Sequence, residues 1–188
     1  MPAPSIQDDL TTRYSAARAL VADTGCDSDS ATLVLLHIGA EQTGVVVGHG
    51  SAPDAMLALA VGSDKTARDH FKHTPPSPLE LENAIVTVED EVTRARDAVP
   101  AGAKLCTTDP AIREIARLSG VSEGASMRLS LDAMERTFDR LTQVSLGRPA
   151  SLEGLPTSNS FAATLLILRE FMHHLQFADI TVFGTHSD

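Results

Sequence analysis

The sequence predicts an α/β fold: a mixed five-stranded sheet that opens with a three-strand meander and is flanked by helices. Three observations predict it. Three β-rich runs follow one another between residues 32 and 61, with only short turns between them. Helical patterns then alternate with short apolar strands, the order that builds parallel pairing through crossovers. The 188 residues are 43% hydrophobic, enough to bury a core and to exclude a disordered chain.

The elements follow in order. Residues 8–23 read as a helix with Leu10, Tyr14, Ala17 and Val21 on one side. "GCDSDS" breaks the pattern as a turn-rich linker, so residues 1–30 form an N-terminal helix and linker ahead of one domain over 31–188. Residues 32–38, 44–48 and 55–61 are the meander strands. A short helix over 63–71 is stopped by "TPPSP", which also sets up the next one, because Pro is tolerated in a first turn. That next helix spans 79–99, with Leu81, Ile85, Val88, Val92, Ala95 and Val99 along one stripe. Glu80 and Glu82 near its start and Arg94 and Arg96 near its end suit the helix dipole.

A strand over 103–106 leads into "TTDPA", a helix entry with a Thr or Asp cap and Pro110 in the first turn. Ile112, Ile115 and Leu118 face the core, and Gly120 ends that helix. Residues 130–144 carry Leu131, Met134, Phe138 and Leu141 at helical spacing. "SLGRPASLEGLP" is a loop. Residues 160–175 are apolar nearly all round, as in a central buried helix, and 179–183 is the last strand.

Net charge of −10 argues against nucleic acid and anionic membrane as partners, since both call for clustered Lys and Arg. No apolar run reaches the roughly 20 residues of a membrane span. "MPAPSIQDDLTTR" has neither the basic nor the apolar region of a signal peptide, and Cys26 and Cys106 form no CxxC pair. Two free thiols in a reducing cytoplasm are expected. His70 and His73 read as surface histidines at a helix end rather than a metal site. Of the adjacent His173 and His174, one packs and one is solvated. Ser51 and Ser160 have no visible His–Asp context, and Glu89, Asp90 and Glu91 read as a solvated face.

Five collinear stretches resemble the Ppx/GppA family of exopolyphosphatases and guanosine pentaphosphate phosphohydrolases, in the actin-like ATPase superfamily. "RYSAARALVADTG" resembles the family's Glu-Glu-Ala-Arg helix. "LVLLHIGAEQTGVVVGHG" resembles its Asp-Ile-Gly-Gly-Gly-Ser-Thr-Glu-Leu strand and loop, and "LALAVGSDKTARDHF" the Ser-Leu-x-x-Gly segment after it. "KLCTTDPAIREIARLSG" resembles a strand ending in a Gly-x-x-Gly-Thr phosphate turn. "LSLDAMERTFDRL" and "SLEGLPTSNSFAATLLILREFMHHLQFADITV" resemble the closing helices and strand. The resemblance implies a ribonuclease-H-like fold, and it covers the second lobe of the family's catalytic module only.

The departures bear on activity. The position matching the family's catalytic carboxylate is Ala16, which cannot accept a proton, so no catalytic residue is carried over. His37 stands where the family has an Asp that helps hold metal. The degenerate phosphate loops are Gly39, Ala40, Glu41, Gln42 and Thr43, then Thr107, Thr108 and Asp109. Glycine turns cradle phosphate because nothing blocks their N–H groups; Glu41 and Asp109 each bring negative charge instead. The family's first lobe is absent from this sequence, and the chain ends at "FGTHSD" where the family continues with Gly-x-Leu-Arg-Glu-Gly.

The resemblance therefore implies an exopolyphosphatase-related protein without catalytic competence or cofactor, acting in binding, regulation or scaffolding. A homodimer or a partner protein would cover the face of the missing lobe. The alternative is a phosphoanhydride hydrolase acting on polyphosphate or guanosine pentaphosphate, completed by dimerisation or a partner chain. In that case Mg²⁺ is its cofactor, with Asp109 or Glu41 as the acid–base group.

Overall fold

A computed structural model describes residues 6–23 and 31–184 of the chain. The first helix, α1 (Ile6–Asp23), precedes a meander of β1 (Leu33–Ile38), β2 (Thr43–Gly48) and β3 (Ala55–Leu59). Then come α2 (Ser63–His70), α3 (Pro78–Thr93), β4 (Lys104–Thr107), α4 (Pro110–Leu118), β5 (Ser126–Ser130), α5 (Leu131–Ser145), α6 (Ala150–Glu153), α7 (Asn159–His174) and β6 (Asp179–Phe183). The "GCDSDS" linker and Cys26 lie outside the described residues.

The strands form one mixed sheet in the order β3-β2-β1-β4-β6-β5. The meander pairs antiparallel, while β1, β4 and β6 run parallel. The fold class read from the sequence is the fold observed, with one strand more than the five expected. The addition is β5, antiparallel to β6 from Ser126↔Phe183 to Ser130↔Asp179. Its period-2 signal rests on Met127 and Leu129 alone, which are buried between exposed neighbours. That is too short an alternation to stand out from a loop.

Two further boundaries differ. The helix expected over 79–99 ends at Thr93, and tighter i→i−3 turns carry the chain on to Ala98. Ala95 still packs inward there, so the apolar stripe outlasts the helix. The loop expected over 145–156 contains the single turn α6.

β1 is buried on both faces, and its alternation sorts its side chains between two cores. Leu33 and Leu35, with Val46, Cys106 and Phe183, meet Leu10, Tyr14, Ala17 and Val21 of α1. Val34, Leu36 and Ile38 face the larger core, built around α7 with α3, α4 and α5. The close approach of α1 explains the glycines of β2. A Cβ at Gly44 would run into Leu10, and one at Gly48 into the Tyr14 ring.

α3 is entered by a reciprocal capping box between Ser77 and Glu80. The Ser77 N–H donates to Glu80, and this bond holds the Glu80 carboxyl down to about 2. Glu91, expected on a solvated face, accepts the Ala60 N–H at 2.8 Å and so ties α3 to the end of β3. No helix among the described residues is long and apolar enough to cross a membrane.

Candidate functional site

β1 and β4 lie side by side and parallel, and the chain leaves their carboxyl ends in opposite directions. Such a divergence opens a crevice where open α/β sheets bind ligands. It brings together the two segments picked out from the sequence: the turn 39–42 after β1, and Thr108–Asp109 after β4.

The turn is filled by its own chain. It closes with the Gly39 N–H donating to the Gln42 carbonyl at 3.0 Å. The Gly39 carbonyl then accepts the Ser63 N–H, and the Ala40 carbonyl accepts the N–H groups of Asp64 and Lys65, at 2.9–3.0 Å. The orphan donors at the start of α2 are thereby satisfied, donors that could otherwise receive an anion. Gly62 makes the contact feasible: a Cβ there would sit 2.5 Å from the Ala40 oxygen. The Thr43 hydroxyl is buried and donates to the Val61 carbonyl at 2.7 Å.

Glu41 does not stand free at the mouth of the turn. Arg68 of α2 grips it through two hydrogen bonds of 3.0 and 2.9 Å, which hold the carboxyl below its usual range. The pair is more than half exposed, so it is screened and contributes little stability.

Asp109 is turned inward and buried. One carboxylate oxygen accepts the Ile38 N–H at 2.7 Å, and the other faces His37 Nδ1 at 2.6 Å. The guanidinium of Arg13, on α1, stands 3.7 Å from that second oxygen and 2.7 Å from Asp9. The Asp109 N–H donates to the Thr107 hydroxyl. An internal carboxylate thus lies between the ends of β1 and β4, at the start of α4. A carboxylate can only accept, so His37 donates from Nδ1, which leaves Nε2 as the acceptor of a neutral ring. Ala16 is exposed on α1, while Arg13 on the same helix reaches the site.

Sequence reasoning singled out His37 and Asp109 separately, as departures from a family pattern, and missed that they meet. It also missed Arg68 and Arg13. Their only advance signal is that both segments end neighbouring parallel strands. A second histidine chain went unseen: Asp54 holds His49 Nδ1 and Thr32 meets His49 Nε2, both at 2.7 Å. Exposed, and joined by Asp54's bond to the His49 N–H, this chain closes the β2–β3 turn. Elsewhere, His173 is solvated and His174 packs on Glu170, while exposed His73 pairs with Glu80. No group of three or more metal-ligating side chains gathers among the described residues.

No protein-family model and no curated protein matches the chain by sequence. Solved structures do match by fold. A PPX-GPPA enzyme from Aquifex aeolicus superposes with a TM-score of 0.72 at 15% identity, over 93% of this chain and 58% of that one. An exopolyphosphatase from Cytophaga hutchinsonii superposes with a TM-score of 0.68 at 11% identity, over 93% and 60%. An exopolyphosphatase-like protein gives 0.63 at 14%, over 92% and 61%. The chain thus has the fold of one part of a Ppx/GppA protein, as the sequence motifs led us to expect. It spans less than two thirds of the length of each of these neighbours.

Proposed function

We propose that this chain is a Ppx/GppA-like lobe that does not hydrolyse phosphoanhydrides by the family's route and serves in binding, regulation or scaffolding. The observation that carries this reading is the occupied turn. Its carbonyls cap α2, Glu41 is clamped by Arg68, and Asp109 supplies an anion of the protein's own where two strand ends and a helix start converge. Ala16 adds no base. The residues do not suit Mg²⁺ either, since both oxygens of Asp109 are engaged and Glu41 is paired with a cation. In this reading the protein needs no cofactor, works in the cytoplasm, and meets a second copy or a partner protein at the face that the other lobe covers in the resemblance.

One observation favours a second reading, a hydrolase completed by dimerisation or a partner chain. His37 is oriented by Asp109 through Nδ1, and in its neutral form Nε2 could take a proton from an attacking water.

A single assay separates the two. The purified protein is incubated with tripolyphosphate, long-chain polyphosphate or guanosine pentaphosphate, with and without Mg²⁺, and released phosphate is measured. The first reading expects no release above buffer. Release that is lost in His37→Ala establishes the second reading and overturns the first. Light scattering tests the partner: a strict monomer removes the homodimer.

A further inference from the structure

At the opposite end of the sheet, where β4 and β6 begin, lies an open groove of about 910 Å³. Its volume falls within the range of small-molecule sites. Leu105 and Phe177, both nearly fully buried, contribute an apolar floor. Its charged lining consists of Arg96, Lys104, Arg128, His174 and Asp179. Asp179 is spent on Arg128 at 2.6 Å, and His174 on Glu170 at 3.1 Å. Arg96 and Lys104 have no carboxylate or carbonyl partner among the described residues.

That pairing pattern is uneven across the molecule. The chain has fifteen Lys and Arg against twenty-five Asp and Glu. With acidic groups in such excess, most cationic side chains find a partner. Four find none among the described residues: Lys72, Arg96, Lys104 and Arg136. Two of these four share this one groove.

The lip of the groove is formed by the end of α7. Gln176 has φ of 60°, the only positive φ at a non-glycine among the described residues. Glycine is the commoner residue in that conformation at a helix end. Glutamine stands there nonetheless and lines the groove. That conformation closes the end of α7, where the Phe177 N–H donates to the Met172 carbonyl at 2.8 Å.

We propose that this groove binds a small organic anion, a phosphoryl or carboxyl headgroup on an apolar body, with the headgroup between Arg96 and Lys104 and the body on Leu105 and Phe177. The site lies away from the β1/β4 crevice, at the other end of the parallel strands, and the proposal stands apart from the function proposed above. Phosphate release, or its lack, leaves it untouched.

The test uses phenylphosphonate, an anion with an apolar body and no hydrolysable ester bond. Binding to the full chain is measured by calorimetry and by the rise in Tm with ligand concentration. The double variant R96A/K104A is compared with K72A/R136A, which removes the same charge from the two other unpaired positions. All four side chains are surface groups, and circular dichroism checks that both variants fold. The expected result is saturable binding by the wild type, kept by K72A/R136A and at least tenfold weaker in R96A/K104A. Methylphosphonate, with no apolar body, should bind more weakly than phenylphosphonate. No saturable binding by the wild type, equal loss in both double variants, or full retention in R96A/K104A each overturns the proposal.

Discussion

Replacing Asp109 by alanine measures how firmly the two strand ends are joined. The substitution orphans the Ile38 N–H, which lies at a buried hydrogen bond; leaving such a donor unsatisfied costs about 1–3 kcal/mol. It also removes a carboxylate from the first position before α4, where the helix dipole favours negative charge by about 0.3–1 kcal/mol. His37 loses its partner too, but its ring is 20% exposed and water takes up part of that loss. The sum is roughly 2–4 kcal/mol, a large part of the 5–15 kcal/mol of a typical domain. For a chain of this size that lowers Tm by roughly 4–16 °C. Urea unfolding followed by circular dichroism gives the number directly, with Glu41→Gln as the comparison. The exposed Glu41–Arg68 pair is screened by solvent and should contribute much less than Asp109. A loss below about 0.5 kcal/mol in Asp109→Ala, or a larger loss in Glu41→Gln, would refute the picture of Asp109 as the internal anion of this crevice.

Three further outcomes are expected. Glu80, with its folded carboxyl at about 2 because of the Ser77 N–H, adds stability that is fully present above its unfolded value near 4.5 and fades as pH falls toward 2; Glu80→Gln should flatten the unfolding midpoint over that window, and an unchanged profile would remove the capping box as its cause. Burial pushes the Cys106 thiol up to about 12, so iodoacetamide at pH 8 should leave it unmodified in the native protein and label it in urea, as read by peptide mass spectrometry. Gly62→Ala sets a Cβ against backbone at 2.5 Å and should cost about 1–3 kcal/mol, whereas Gly50→Ala, with nothing within 4 Å, should change stability by under about 0.5 kcal/mol; equal unfolding midpoints would show that the turn does not press on Gly62.

Much of the fold was legible because its signals are local. The stripe Leu10, Tyr14, Ala17 and Val21 repeats at helical spacing, and all four residues bury together. Pro110 and Gly120 mark the start and end of α4 from within the sequence itself. β5 was not legible, because two apolar residues do not make a period, and its strand character comes from the edge that β6 offers it.

The sequence by itself determined the order of elements, the apolar stripe of each helix and the caps that end them. Neighbours in the chain carry those features, so they can be read without knowing what packs where. Only the tertiary structure decided what the two loops do. Asp109 and His37 are 72 positions apart, and Glu41 and Arg68 are 27 apart. Each pair exists because a strand order and a helix start place it there. Two acidic residues read as repelling phosphate therefore play different parts. Glu41 is tied down at the surface, and Asp109 lies buried as the anion that joins β1 to β4, because hydrogen bonding depends on position in space and not on position in the chain.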